Sequence, residues 1–93
     1  MKVRNMQSNN NNDIPNQFII DCDNGDILFQ SYNSIIVKKS NGKIILGKDY
    51  KYSVTTGKYR NQFLGETLQE TERKLKDGIY TLDESLWVKY NYQ

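Results

Sequence analysis

Residues 35–46 read Ile35-Ile-Val-Lys-Lys-Ser-Asn-Gly-Lys-Ile-Ile-Leu46, and this stretch decides the fold. Two short apolar segments flank the pair Asn41-Gly42. An Asn-Gly pair in this position is typical of a tight β-hairpin, because a type I′ turn needs positive φ at both central residues. We therefore expect two antiparallel strands joined by a two-residue turn.

The same pattern extends toward the N-terminus. Asn24-Gly25 separates the apolar segments 17–22 and 27–32. Asn33-Ser34 breaks or bulges the second of these segments, and an apolar segment continues at residues 35–38. Consecutive strands with such short connections favour antiparallel over parallel pairing. The sequence predicts an antiparallel meander of three or four strands.

Helix signals begin after the meander. Ser53 is a favourable N-cap, and residues 54–64 form the predicted first helix. If one straight helix continued to residue 77, its apolar side chains would spread over about half the circumference, with Arg60 near the centre of that face. A kink or break at Gly65 removes this difficulty, so we expect one kinked helix or a helix pair.

The second helical segment has a clear apolar stripe and both of its end signals. Thr67 and Glu70 have the spacing of a capping box, and Gly78 is a natural stop. The stripe consists of Leu64, Leu68, Thr71 and Leu75. The predicted fold class is α+β, a meander packed on one kinked helix or a helix pair.

The two ends of the chain carry weaker signals. Residues 1–16 are polar and Asn-rich, so we expect a disordered tail, followed by a single α+β domain over residues 17–93. In residues 79–93 a capping-box spacing favours a helix, whereas alternating apolar residues favour a strand at the sheet edge. We prefer the strand. The alternating residues are Leu86, Val88, Tyr90 and Tyr92.

Composition excludes the commonest catalytic and metal-binding chemistries. The chain has 93 residues, no His and one Cys, Cys22. A Ser-His-Asp triad, a Cys-His dyad and the common zinc sites cannot be assembled from one such chain. We therefore expect a non-enzymatic protein without metal or cofactor. No segment is typical of a signal peptide or a membrane span, so we expect a cytoplasmic protein of the host cell with no membrane partner.

Charge is concentrated in the middle of the chain. Residues 38–60 contain seven Lys and Arg residues against Asp49 alone. Around the predicted helix start this segment also has hydroxyl and aromatic side chains, which suit an anion, a nucleic acid or a protein surface. The alternative is a capped helix whose tyrosines fill the core. The candidate binding residues are Tyr50, Lys51, Tyr52, Ser53, Thr55, Thr56, Lys58 and Arg60.

A secondary basic patch surrounds the second hairpin. Its members are Lys38, Lys39, Lys43 and Lys48. These cations would suit a phosphate backbone. The alternative is that they keep an edge strand soluble and deter strand-to-strand aggregation.

Residues 31–64 resemble a known family. The motif elements are Ser31-Tyr-Asn-Ser-Ile-Ile-Val37, Gly42-Lys-x-x-Leu-Gly47 and Tyr52-Ser-x-Thr-Thr-x-Lys-Tyr-x-x-x-Phe-Leu64. They are similar to short proteins and domains from phages, plasmids and integrated elements of low-GC Gram-positive bacteria. What the resemblance implies is context, because small proteins of such elements often disable a host defence complex by binding it, as anti-CRISPR proteins do.

Two functions therefore stand as expectations. The first is an inhibitor that occupies a surface on a host protein or ribonucleoprotein complex, for example a CRISPR effector. The second is a nucleic-acid-binding accessory protein that uses the basic segment 38–60. The sequence leaves the oligomeric state open, although an uncovered edge strand would permit a dimer.

Overall fold

A computed structural model describes residues 1–86, which form one sheet and two helices. The strands follow chain order across the sheet, and all neighbouring strands are antiparallel except the last pair. The α+β class is confirmed, but the part of the chain described has six strands rather than three or four. The elements are β1 Lys2–Gln7, β2 Asp13–Asp21, β3 Ile27–Ser31, β4 Ser34–Ser40, β5 Lys43–Gly47, α1 Val54–Leu64, α2 Leu68–Lys76 and β6 Thr81–Asp83.

The N-terminal segment is ordered, and the expectation of a disordered tail over residues 1–16 is wrong. β1 pairs with β2 from Lys2 opposite Asp21 to Gln7 opposite Asp13. The connecting loop closes on itself, because the Ser8 amide donates to the Asn12 carbonyl. Met6 and Ile14 are buried in the core. The polar composition led to a wrong prediction because strand pairing satisfies the backbone hydrogen-bonding groups of this segment. Such a strand needs few apolar side chains.

The turns between the strands lie at the expected positions, but the first Asn-Gly pair does not form the expected type I′ turn. Asn41 and Gly42 both have positive φ, 53° and 77°, as a type I′ hairpin requires. At the first Asn-Gly pair only Gly25 has positive φ, at 94°, and the Gly25 amide donates to the Cys22 carbonyl in a longer loop. The predicted break at residues 33–34 is a hairpin, with Ser31 opposite Ser34.

Both helices begin and end at the predicted residues. Ser53 caps α1, and Gly65 ends it in the left-handed region with φ 71°. Thr67 and Glu70 form the capping box of α2. The break at Gly65 is therefore confirmed, and the two segments are separate helices.

The last strand differs from the expectation. β6 joins the sheet edge as predicted, but it covers Thr81–Asp83 and pairs in parallel with β5. The parallel direction follows from the two helices that connect β5 to β6, since a crossover returns the chain in the same direction. The alternating pattern used for the prediction falls mostly on residues 87–93, which lie outside the residues described.

The two helices cover one face of the sheet. Phe29 of β3 stacks on Phe63 of α1 with ring centroids 5.5 Å apart, inside a cluster that also includes Val37 and Leu46. A smaller cluster contains Ile20, Leu28, Ile35 and Leu86. Neither described helix is long and apolar enough to cross a membrane.

Candidate functional site

The start of α1 is fixed by hydroxyl groups. The Ser53 side chain accepts a hydrogen bond from the Thr56 amide at 3.1 Å, which satisfies one of the free N–H groups of the first turn. The Thr56 hydroxyl lies 3.0 Å from the Ser31 hydroxyl, and both residues are buried. These contacts hold the helix start against the end of β3.

The turn between β3 and β4 lies beside this helix start. Tyr32 has φ 55°, and its amide donates to the Asn16 carbonyl at 2.7 Å. Its carbonyl accepts a hydrogen bond from the Gln30 side chain at 2.6 Å. The backbone at the tip of this hairpin is therefore held on both sides, and the Tyr32 ring is nearly half exposed.

A polar cleft of about 520 Å³ opens between this turn and the start of α1. We call it the tyrosine cleft, because the partly exposed Tyr32 and the largely exposed Tyr52 both line it. The Ser34 hydroxyl donates to the Asp49 carboxylate at 3.1 Å within it. The remaining lining residues are Ser31, Asn33, Ile36, Ser53, Thr55 and Thr56. The cleft offers ring surface, hydroxyls and a carboxylate, which suits a polar segment of a partner.

A second cleft of about 640 Å³ lies on the other side of Ser53. We call it the arginine cleft, because Arg60 lies in its wall although that residue is only 1% exposed. The Arg60 guanidinium donates to the Tyr50 carbonyl at 2.6 Å and to the Asn61 side chain at 2.7 Å. Burial lowers the pKa of Arg60 from its ordinary value. The other lining residues are Lys51, Ser53, Val54, Gly57, Lys58, Asn61 and Leu68.

Two of the candidate residues are engaged by α2. The Tyr50 hydroxyl and the Lys51 ammonium both donate to the Glu72 carboxylate, at 3.1 and 2.9 Å. The hydrogen bond to Glu72 raises the pKa of Lys51, and burial followed by that same carboxylate raises the pKa of Tyr50. The hydrogen bonds from Lys51 and Tyr50 lower the pKa of Glu72. This triad ties the loop before α1 to α2.

The structure thus brings the eight candidate residues together, but it does not expose all of them. Tyr50, Thr56 and Arg60 are buried, so the expectation that they form a contact surface is corrected. Thr56 contacts Ser31 of β3, Arg60 donates to the Tyr50 carbonyl, and Tyr50 is part of the core. Tyr52, Thr55 and Lys58 are exposed, Lys51 is exposed beside Glu72, and Ser53 is half-buried between the two clefts.

The secondary basic patch does not form one surface. Lys38 lies 3.6 Å from Asp26, and both side chains are largely buried. A hydrogen bond from Ser40 and the charge of Lys38 lower the pKa of Asp26. Lys39 contacts Phe63 instead, with its ammonium 4.5 Å from the ring centroid. Successive residues of a strand point to opposite faces, so these two lysines are separated by the sheet.

The hairpin side of the tyrosine cleft was not predicted from the sequence. Tyr32, Asn33 and Asp49 were not candidates, although they line the cleft with Tyr52. A signal was present, because a break between two β segments places the residues at the break on an exposed tip. Which loop meets that tip depends on the packing of α1 against β3, and no local pattern shows it.

Comparison with known proteins identifies one family. A model described as a family of unknown function, DUF8033, matches residues 1–79, which include β1 to β5, both helices and both clefts. No curated protein and no solved structure matches the chain.

Proposed function

We propose that this chain, which belongs to the DUF8033 family, is a non-enzymatic binding protein that occupies a surface on a host protein or ribonucleoprotein complex and inhibits it. A CRISPR effector is an example of such a complex. The observation that carries the proposal is the tyrosine cleft, a polar cleft lined by the exposed side chains of Tyr32 and Tyr52.

Exposure of apolar surface beside this cleft supports a protein partner. Tyr32 is 47% exposed, Tyr52 75% and Val54 90%. Aromatic side chains that are left in water are favoured at protein interfaces, because they bury a large area and keep a polar group for a hydrogen bond. Two of these side chains face one cleft, so a single segment of a partner could contact both.

The rigidity of the backbone beneath these side chains favours binding. The hairpin tip at Tyr32 is held by two hydrogen bonds, and the Tyr52 amide donates to the Asp49 carbonyl at 3.0 Å. A surface that is already ordered loses less conformational entropy on binding than a flexible one. Within the cleft, the hydroxyls of Ser53 and Thr55 and the pair Ser34–Asp49 supply polar contacts that can select a partner.

Nucleic-acid binding through residues 38–60 is the alternative, and the exposed Lys43 and Lys58 favour it. Several other cations of this segment are engaged internally, with Lys38 beside Asp26, Lys51 beside Glu72 and Arg60 buried. Affinity for a phosphate backbone grows with the number of cations that reach it. The protein-binding proposal is preferred because the two exposed tyrosines line one cleft.

Replacing both cleft tyrosines tests the proposal. We expect the variant Y32A/Y52A to capture its partner complex from a low-GC Gram-positive lysate at least about tenfold less well than the unmodified chain, since two interface tyrosines together contribute more than about 1.4 kcal/mol. The measurement is a tagged pull-down at moderate salt, with and without nuclease, quantified by mass spectrometry.

The matched control is I79A, because Ile79 is also exposed but lies after α2, outside both clefts. Equal thermal unfolding of the three proteins excludes a folding defect. Unchanged capture by Y32A/Y52A would contradict the proposal. Partners that are captured only in the absence of nuclease would favour the nucleic-acid-binding alternative.

A further inference from the structure

The arginine cleft is lined by cations without a carboxylate among its lining residues. Lys51, Lys58 and Arg60 all contribute to its wall. Lys51 is paired with Glu72, whereas the Lys58 ammonium contacts the ring of Tyr59 at 5.3 Å from the centroid. The cleft therefore has positive character at the start of α1, where the helix dipole has the same sign.

Arg60 is a buried cation without an adjacent anion. Its terminal nitrogens donate to the Tyr50 carbonyl and the Asn61 amide oxygen, but within residues 1–86 its Nε has no hydrogen-bond partner and no carboxylate lies within 4.0 Å of it. Glu72 and Glu66 act on it only at longer range, and both accept hydrogen bonds from other donors. A buried charge of this kind is stabilised when an anion approaches it.

Gly57 lines the arginine cleft and lies next to the guanidinium of Arg60. A Cβ atom on Gly57 would lie 3.6 Å from each terminal nitrogen of Arg60, and both residues line the cleft. Because position 57 has no side chain, no side chain at this position lies over the guanidinium. A negatively charged group in the cleft would therefore come close to Arg60, with Lys58 at the rim.

We propose that the arginine cleft binds the carboxylate of an acidic side chain on the protein partner. This inference rests on the proposed function and names the chemistry of the partner. Val54 and Leu68 line the same cleft, so an apolar residue next to the acidic one would also be accommodated. A phosphate backbone fits less well, because Lys38 and Lys39 lie away from this cleft and cannot extend it into a basic track.

The test is an NMR titration of the ¹⁵N-labelled full chain. The probes are acetyl-Glu-Leu-amide, its neutral counterpart acetyl-Gln-Leu-amide, and inorganic phosphate. We expect the Glu peptide to shift the Arg60 Nε–H signal and the amides of residues 54–57 in a saturable manner, with an affinity about threefold higher than that of the Gln peptide. K58Q should weaken this binding, whereas K43Q, at the exposed first residue of β5, should not.

Two results would overturn the inference. One is an equal response to the Glu and Gln peptides, and the other is saturable binding of phosphate without binding of the Glu peptide. K58Q is used in place of an Arg60 variant because loss of the buried guanidinium could prevent folding. If K58Q captures the partner complex as well as the unmodified chain while Y32A/Y52A does not, the inference fails and the proposed function stands.

Discussion

Replacing Gly47 with alanine is expected to destabilise the protein by about 3 kcal/mol, the upper part of the usual range for overpacking a core. A Cβ atom at this position would lie 2.2 Å from the Ile35 carbonyl oxygen. That oxygen belongs to the backbone of β4, so it cannot move aside by a side-chain rotation. Either β4 or β5 must shift, and both contribute buried residues to the core.

The measurement for G47A is urea unfolding at equilibrium, where a lower midpoint with an unchanged slope reports lost stability. G57A is the matched control, because its Cβ would make ordinary contacts and Ala is favoured over Gly inside a helix by up to about 1 kcal/mol. The same Gly-to-Ala change should thus lower the free energy of unfolding at position 47 and raise it at position 57. A G47A midpoint equal to that of the unmodified chain would refute the close approach of the two strands.

Replacing Glu66 with alanine is expected to cost about 3 kcal/mol of stability, the size of the loss when one partner of a buried ion pair is removed. The Glu66 side chain is 5% exposed and accepts hydrogen bonds from Thr71, Lys74 and Tyr80. It therefore joins the loop after α1 to α2 and to the segment before β6. Removal of the carboxylate leaves the buried Thr71 and Tyr80 hydroxyls without this acceptor.

The stabilisation by Glu66 should depend on pH. Burial opposes its ionised form, but the hydrogen bonds from Lys74, Thr71 and Tyr80 outweigh burial and hold the pKa of Glu66 below its ordinary value of 4.5. The unfolded chain therefore takes up this proton at a higher pH than the folded protein does. The stabilisation is complete above pH 4.5 and is lost as the pH falls through the lower pKa of the folded state.

We expect the difference in unfolding free energy between the unmodified chain and E66Q to shrink between about pH 6 and about pH 3. Urea unfolding at several pH values measures it, with E84Q as the control for loss of one exposed carboxylate. A difference that stays constant or grows as the pH falls would contradict the assignment of Glu66 as the stabilising carboxylate.

Local signals in the sequence predicted the helices and most turns correctly. Ser53, Gly65 and the pair Thr67–Glu70 each act through hydrogen bonds to nearby backbone, so their effect can be inferred without the fold. β1 could not be inferred in this way, because most of its side chains are exposed and only Met6 is buried. Its position depends on pairing with β2, which is a contact between separate segments.

In the candidate site, too, local features were predictable from the sequence, whereas features that depend on packing were not. The sequence located the hydroxyl-rich helix start, but the rotation of α1 against the sheet decides that Thr56 and Arg60 are buried. The break at Gly65 does not expose Arg60, which stays buried and donates hydrogen bonds to the Tyr50 carbonyl and the Asn61 side chain. Tyr32 joins the site only because the turn between β3 and β4 lies beside that helix start.

Site-specific photo-crosslinking at position 52 tests the central claim most directly, because it reports contact at the tyrosine cleft itself. Tyr52 is replaced by p-benzoylphenylalanine, and a second protein carries the same residue at Val3, which is exposed on β1. After illumination in host lysate, we predict that position 52 forms a covalent product with one protein and that position 3 does not. Products at both positions alike, none at position 52, or a product with nucleic acid alone would contradict a protein-binding tyrosine cleft.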